Sequence, residues 1–361
     1  MRDEDYFLEI QEIENSIKQI TRNVSLNYPK PQNSKYQKRK FFKALKEGRE
    51  YNPQMKYEKR DIPQEVIDEL IQLKDSILLE DDRYKFKLLL KKKIQEFILI
   101  LKMYKHWGEI ESTTYSILSR GRPTQKQYRK ALYQIKRYER DTVRFKRLSP
   151  QKIANALQEE VYKLTGENIR VCFEELANKV MIRAKSGIIS INPQETFTSL
   201  DLERLKVHEI QTHYMRYFNG SKQPIEILQN GTHNYIKTEE GLAVYMEHKH
   251  NVLSKAQLFI YAGRVVANYL SMHYGFYDIF QRLKKLGFKD EDAYKITLRS
   301  KRNLKDTSQI GGFTKDYIYF VGFYEVKEHL EKYPEDFEKL FTGKIKLKDL
   351  KTLEEYLKKY G

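Results

Sequence analysis

The apolar residues of this 361-residue chain recur with a helical period over most of its length. The clearest case lies in residues 81–106, where apolar side chains three or four positions apart form one face of an amphipathic helix; they are Phe86, Leu89, Leu90, Ile94, Phe97, Ile98 and Leu101. Pro63 is suited to the first turn of another helix. We therefore predict that residues 1–148 form a helical, basic region that packs on a core made by the rest of the chain.

The pattern changes near residue 150. Ser149 and Pro150 are typical of a helix start, and this helix is predicted to end near Leu164. Residues 168–174 and 179–191 then carry alternating or β-branched apolar residues, which is typical of strands, and helices return from residue 238. We predict an α+β, predominantly helical fold, with a small antiparallel sheet immediately before a helix at about 198–218 and a domain boundary at 148/149.

Composition excludes several classes of protein. A hydrophobic fraction of 40%, with 27 Tyr and 18 Phe, is not that of a disordered chain. No apolar run is long enough for a transmembrane helix, and the charged N-terminus is not followed by the apolar stretch of a secretory signal. The single cysteine, Cys172, cannot form an intramolecular disulfide and is predicted to be a small buried residue. Together these features predict a cytoplasmic protein.

The formal net charge is +17, and the basic residues are unevenly distributed. Residues 30–46 hold seven Lys and Arg and no acidic residue. Such a patch could attract nucleic acid or an acidic protein surface. No nucleic-acid-binding motif accompanies the charge, so a Lys-rich solvated surface is favoured over nucleic-acid binding. An acidic protein surface stays a candidate partner, whereas nucleic acid and membranes are not predicted as partners.

The most informative polar motif, H-E-x-x-x-H, lies in the helix predicted at about 198–218 and runs from His208 through Glu209 to His213. In the H-E-x-x-H signature of metalloproteases the two histidines are four residues apart and share one helix face. Here they are five apart, so on a straight helix the rings would point about 140° apart. A π-bulge would absorb the extra residue and bring both rings to one metal ion. We therefore predict a local bulge; a regular helix that merely carries two histidines is the alternative.

A second helix, with Thr238 as N-cap, is predicted to carry Glu239 and Glu240 in its first turn. Leu242, Ala243 and Met246 would pack inward. Catalytic zinc takes three protein ligands and leaves a fourth position for water, and two His plus one Glu is a recurring set. Next to H-E-x-x-x-H, this pair of glutamates is therefore a candidate source of the third ligand.

Four segments together resemble a bacterial family named for a Q-E-G-L-A motif, whose relatives include the microtubule-associated tyrosine carboxypeptidase. They are residues 208–213, 219–224, 238–243 and 311–319. The resemblance implies a zincin-like metallopeptidase core in residues 149–361, with one zinc ion held by His208, His213 and Glu240, and with Glu209 as catalytic base. The glutamine of the motif is Glu239 here, which leaves Glu240 aligned with the motif's glutamate.

The same pair of motifs is similar to dipeptidyl peptidase III, in which the second Glu of a Glu-Glu pair binds zinc. This likeness also implies Glu240 as the ligand, and it makes Glu239 a candidate for orienting a ligand imidazole.

In the reaction so implied, zinc acidifies a water molecule and polarises the scissile carbonyl, and Glu209 transfers the proton to the leaving amine. Tyr319 and Tyr324 are candidate donors to the tetrahedral intermediate. Binding of a terminal carboxylate calls for cations. The candidates are Lys315, Arg299, Arg302 and Arg264.

The predicted function is a zinc metallopeptidase, a carboxypeptidase that removes a C-terminal residue from a peptide or protein. Two alternatives stay open. The same metal site could serve an aminopeptidase, a dipeptidyl peptidase or an endopeptidase. A non-catalytic binding or regulatory protein could instead use the basic patches, and absence of bound metal would favour it.

Overall fold

The computed structural model describes residues 3–25, 27–79, 85–139, 144–176 and 178–354. Backbone contacts divide the chain into two compact units: unit 1 comprises Met1–Phe7, Arg140–Lys255 and Gly322–Gly361, and unit 2 comprises Leu8–Glu139 and Ala256–Val321. Residues 256–321 thus group with the N-terminal helices, so the units do not follow the predicted boundary at 148/149. The assignment of residues 149–361 as a catalytic domain stays a prediction.

The described chain is predominantly helical with small sheets, as the sequence predicted. The helices are α1 (Asp3–Thr21), α2 (Ser34–Lys46), α3 (Gln64–Ser76), α4 (Lys85–Lys105), α5 (Glu111–Arg120), α6 (Gln125–Lys136), α7 (Pro150–Thr165), α8 (Ser199–Leu205), α9 (Met215–Ser221), α10 (Ile227–Asn230), α11 (Ile236–Lys249), α12 (Lys255–Leu270), α13 (Phe276–Lys285), α14 (Asp290–Lys301), α15 (Ile318–Lys332) and α16 (Asp336–Phe341). None of the described helices has both the length and the apolar character that a membrane-spanning segment needs.

Unit 2 contains the long helix α4, whose apolar stripe is buried except at Phe97, which is half-buried. Phe86, Leu89, Ile94 and Leu101 are each at most 7% exposed. The predicted start of this helix, at residue 81, lies outside the described residues.

Unit 1 contains a mixed three-stranded sheet in the order β2-β4-β3, formed by β2 (Arg170–Phe173), β3 (Val180–Arg183) and β4 (Ile188–Ile191). β3 and β4 form an antiparallel hairpin that turns at Gly187, whose φ is 59°. β2 lies on the other edge of β4 and runs parallel to it. The prediction of an antiparallel sheet was therefore wrong for this pair, because side-chain alternation reports a strand but not the direction of its neighbour. A second, two-residue pairing joins β1 (Arg147–Leu148) to β5 (Phe197–Thr198).

The exposed edge strand β2 also corrects the prediction for Cys172. This thiol is exposed and not buried, because only one face of β2 is covered. Ile169 and Val171 point toward the unit 1 core, whereas Arg170 and Cys172 point away from it.

The core of unit 1 lies between helix α7, the three-stranded sheet and the helix that begins at Ser199, after β5. Ser149 caps α7, its side chain accepting from the backbone N–H of Lys152, as a Ser-Pro helix start predicts. Ile153 and Leu157 of α7 pack in one apolar cluster with Ile189 of β4 and with Ile210. This cluster fixes the apolar face of the helix that carries the H-E-x-x-x-H motif, and its polar face turns the other way.

Candidate metal centre

The H-E-x-x-x-H motif lies on one continuous helix, formed by α8, a π-helix at Lys206–Tyr214 and α9. Thr198 and Asp201 form a reciprocal capping box at its start. The predicted bulge is therefore present, and it extends over nine residues. Because a π-helix has a wider turn, residues five apart come onto one face. The ring centroids of His208 and His213 accordingly lie 4.8 Å apart, with the ring planes 85° apart.

Glu240, the predicted third ligand, lies on α11 close to both histidines. Oε2 of Glu240 lies 3.6 Å from Nε2 of His208 and 3.6 Å from Nε2 of His213. The three donor atoms all lie within 4.8 Å of one another. Four ligands around zinc, at bond lengths of about 2.0–2.2 Å, are spaced by roughly 3.4 Å. The donor types and their spacing therefore fit a zinc ion after only small adjustments of the side chains.

The start of α11 differs from the prediction. The helix begins at Ile236, so Thr238 lies inside its first turn and is not the N-cap. The reason is a preceding turn, in which the N–H of Tyr235 donates to Thr232, so the chain is already winding before Thr238. The hydroxyl of Thr238 instead accepts a hydrogen bond from the N–H of Leu347.

His213 is oriented by a buried ion pair behind it. Its Nδ1 donates to Oε1 of Glu239 at 2.9 Å, and the other oxygen of Glu239 accepts from the guanidinium of Arg216. Burial would raise the pKa of Glu239, but the charge of Arg216 and the hydrogen bond from His213 outweigh it and lower that pKa to about 2. Glu239 is therefore an anion that holds Nε2 of His213 toward Glu240, the arrangement that commonly accompanies a ligand histidine.

His208 has an equivalent partner, Glu247. Its Nδ1 donates to Oε1 of Glu247 at 2.7 Å, and the same oxygen accepts from Arg204 at 3.2 Å. Glu247 is fully buried, and both of these hydrogen bonds end on its Oε1. Each imidazole therefore donates from Nδ1 to its own carboxylate, and each of these carboxylates is paired with an arginine.

The electrostatics of the centre favour positive charge. Burial would lower the pKa of both histidines, yet hydrogen bonds to the carboxylates raise the pKa of His208 and raise that of His213 to about 10. Without metal, these hydrogen bonds therefore favour the protonated form of both rings. A divalent cation would replace these protons, because a histidine binds metal in its neutral form.

Glu209, the predicted base, lies beside His208 on the π-helix and is half-buried. Among the described residues, none forms a hydrogen bond or an ion pair with its carboxylate. It therefore differs from Glu239, whose two oxygens accept from His213 and Arg216, and from Glu247, whose Oε1 accepts from both His208 and Arg204. Its role as the catalytic base stays a prediction.

Two of the predicted carboxylate-binding cations hold a buried carboxylate in unit 2. Asp316 is 1% exposed and accepts two hydrogen bonds from Arg299 and two from Arg302, the latter at 2.9 and 3.0 Å. Burial would raise the pKa of Asp316, but Arg299, Arg302 and Arg264 hold it well below its ordinary value. This cluster therefore already binds one carboxylate of the protein itself.

The remaining predicted residues are divided between the units. In unit 2 the rings of Tyr261 and Tyr319 stack at 5.2 Å, with the guanidinium of Arg264 at 5.1 and 4.9 Å from their centroids. Lys315 also lies in unit 2. Tyr324 lies on the unit 1 part of α15, half-buried, and burial raises its pKa. The roles predicted for these residues stay predictions.

Comparison with protein families matches residues 39–360 to the family described as microtubule-associated tyrosine carboxypeptidase. The chain belongs to this family. Microtubule-associated tyrosine carboxypeptidase 1 from Mus musculus is 33% identical over 162 residues, which are 43% of this chain and 33% of the mouse protein. The Rattus norvegicus protein of that name is 34% identical over 160 residues, 42% of this chain and 33% of its own length. The Homo sapiens protein is 32% identical over 158 residues, 41% and 32% respectively. The chain thus spans about a third of the length of these relatives.

The family match covers every residue of the candidate metal centre and confirms the resemblance inferred from the motifs.

The sequence analysis did not identify Glu247, Arg204 or Arg216. A signal for Glu247 existed: it follows Glu240 by seven residues, which places it on the same face of α11. Arg204 and Arg216 lie four residues before His208 and three after His213, but nothing local distinguishes them from the many other basic residues of the chain.

Proposed function

We propose that the chain is a zinc-dependent carboxypeptidase that removes a C-terminal residue from a peptide or protein. The convergence of His208, His213 and Glu240 carries this proposal, since two His and one Glu are a recurring set of three protein ligands in catalytic zinc sites. The names of the relatives, tyrosine carboxypeptidases, support a C-terminal tyrosine as the residue removed.

The roles of the residues follow from their positions. His208, His213 and Glu240 would hold zinc, which when bound supplies Lewis-acid polarisation of a carbonyl and lowers the pKa of a water molecule. Glu209 takes the proton of the attacking water and delivers it to the leaving amine. Glu239 and Glu247 keep Nδ1 of each histidine occupied, so that Nε2 is the nitrogen offered to the metal.

Two further parts of the proposal concern the substrate. The hydroxyls of Tyr324 and Tyr319 are proposed donors to the oxygen of the tetrahedral intermediate. Lys315, Arg299, Arg302 and Arg264 are the proposed recognition residues for the terminal carboxylate. Because Arg299 and Arg302 already pair with Asp316, their part in this proposal requires that they bind the substrate carboxylate in addition to Asp316. For the basic segment at residues 30–46, we propose an acidic protein surface as partner.

The test combines metal analysis with digestion of a peptide library varied at its last two residues. Purified protein is expected to hold one zinc ion, and wild type is expected to release single C-terminal residues. Glu209→Gln should abolish release and retain zinc, because the base is removed and the donors are intact. Glu203→Gln is the matched control on the same helix, since Glu203 is exposed and its only described ion pair is with Lys206 at 3.9 Å.

Each alternative has its own outcome in this experiment. Release of residues or dipeptides from the amino end, or internal cleavage, would replace the carboxypeptidase assignment while keeping the metal site. Unchanged hydrolysis by Glu209→Gln would remove the proposed mechanism. Protein that holds no metal and cleaves nothing would favour the non-catalytic binding protein.

A further inference from the structure

Arg216 is the largest fully buried side chain among the described residues, and it lies on α9, three residues after His213. Its guanidinium donates to Glu239 and to three backbone carbonyls. Its Nε donates to the carbonyls of Leu340 and Gly343, at 2.7 and 3.0 Å. Its Nη2 donates to the carbonyl of Ile345 at 2.8 Å. A buried guanidinium is tolerated only when it is paired in this way, so its position is tightly determined.

The three carbonyls belong to residues 340–347, which we call the C-terminal strap. The strap is bonded to both helices that carry metal donors. On the helix of His213, the amide of Asn219 donates to the carbonyl of Phe341 at 2.9 Å. On the helix of Glu240, the hydroxyl of Thr238 accepts from the N–H of Leu347 at 2.9 Å.

The strap is also fixed to the loop between these helices. The N–H of Lys344 donates to the carbonyl of Leu228 at 2.6 Å, and the N–H of Thr232 donates to the carbonyl of Lys344 at 3.0 Å. Gly343 leaves no room for movement toward this loop, since a Cβ there would lie 2.6 Å from the Leu228 oxygen. The strap is therefore a rigid acceptor for Arg216, although it lies more than a hundred residues away along the chain.

We propose that the C-terminal strap positions His213 for the metal, acting through Arg216 and Glu239. The strap fixes the guanidinium, the guanidinium fixes one oxygen of Glu239, and the other oxygen fixes Nδ1 of His213. Arg216 is thus a positioning residue. The proposal rests on the proposed function, because it takes His213 to be a zinc ligand. His208 is independent of the strap, since its carboxylate, Glu247, pairs with Arg204 of the adjoining helix α8.

The test measures zinc affinity by competition with a chromophoric chelator, on full-length protein prepared without metal. Arg216→Met should weaken zinc binding 10- to 100-fold, the range seen when residues behind a metal ligand are changed. Because this change leaves Glu239 buried without its cation, Arg216→Lys and the charge-neutral double variant Arg216→Met/Glu239→Gln are measured as well. The double variant should bind zinc no more than threefold more weakly than Glu239→Gln alone, since Arg216 acts through that carboxylate.

Asn219→Ala is the matched control. It removes another hydrogen bond to the strap but does not touch Glu239, so it should lower the melting temperature of the metal-free protein while changing zinc affinity less than threefold. Arg204→Met should also weaken zinc binding. In the double variant, the fold-losses of zinc affinity from Arg204→Met and Arg216→Met should multiply, because the two arginines pair with the carboxylates of different histidines.

The outcomes separate the two proposals. Wild-type protein that does not bind zinc overturns the proposed function and the strap with it. Zinc binding by wild type that Arg216→Met and Arg216→Lys leave unchanged, with only the melting temperature lowered, overturns the strap alone and makes Arg216 purely structural. Multiplicative losses for Arg216→Met and Glu239→Gln would show that Arg216 does not act through Glu239.

Discussion

Replacement of Gly241 by alanine tests how closely the helix of Glu240 is packed. Gly241 lies one residue after Glu240 on α11, and its backbone contacts that of Gly322 on α15. A Cβ built at Gly241 would lie 2.3 Å from the carbonyl carbon of Gly322 and 2.4 Å from its oxygen, whereas ordinary contact begins at 3.4 Å. The two helices would therefore have to separate by roughly 1 Å, because neither contact is with a flexible side chain.

The expected cost follows from two opposing effects. Overpacking of a core costs about 1–3 kcal/mol, and a backbone-to-backbone contact belongs at the upper end of that range. Alanine returns about 1 kcal/mol through its better helix propensity. Gly241→Ala should therefore lower the free energy of unfolding by about 1–2 kcal/mol. Because Glu240 moves with the helix, zinc binding should also weaken by roughly tenfold or more.

The assay is urea denaturation followed by circular dichroism, together with chelator competition for zinc. Gly263→Ala is the matched control, since Gly263 is also buried in a helix but faces the far end of the Phe288 ring, at 2.5 Å. The end of a side chain can be displaced more easily than backbone, and Gly263 lies in unit 2, so this variant should retain full zinc affinity. If Gly241→Ala matches wild type in both stability and zinc affinity, the close packing of α11 on Gly322 is refuted.

Two further predictions concern buried charges. Glu247→Gln should weaken zinc binding 10- to 100-fold with the fold retained, as judged by chelator competition, because a neutral amide orients His208 less firmly; equal affinity would contradict that role. Burial lowers the pKa of Lys301 from 10.5 to about 7, so above pH 7 the folded protein sheds a proton that the unfolded chain still binds. Stability relative to Lys301→Met should therefore rise by about 1.4 kcal/mol per unit between pH 7 and 9 in urea denaturation; parallel pH profiles would contradict it.

Local sequence accounts for the features that depend on neighbours along the chain. The start of α7 at Ser149 and Pro150 was predictable, because capping involves only residues within one turn. The π-helix was predicted from the spacing together with the assumption of a shared metal, since two histidines five residues apart can meet one metal only if the helix widens. The choice of Glu240 over Glu239 depended on the family resemblance, and the structure places one carboxylate between the histidines and the other behind His213.

Only the tertiary structure decided the features that join distant segments. Side-chain alternation in β2 predicted a strand, but its parallel pairing with β4 depends on how the intervening hairpin packs. The hydrogen-bond partners around the two histidines also come from distant segments. Glu247 lies 39 residues from His208, and Arg216 donates to carbonyls more than 120 residues away along the chain. Periodicity reports which face of an element is buried, whereas the partner of a buried charge is set by whichever backbone or side chain the fold brings there. Motif spacing and the family resemblance therefore identified the candidate donors from the sequence, and the tertiary structure determined what holds these side chains in place.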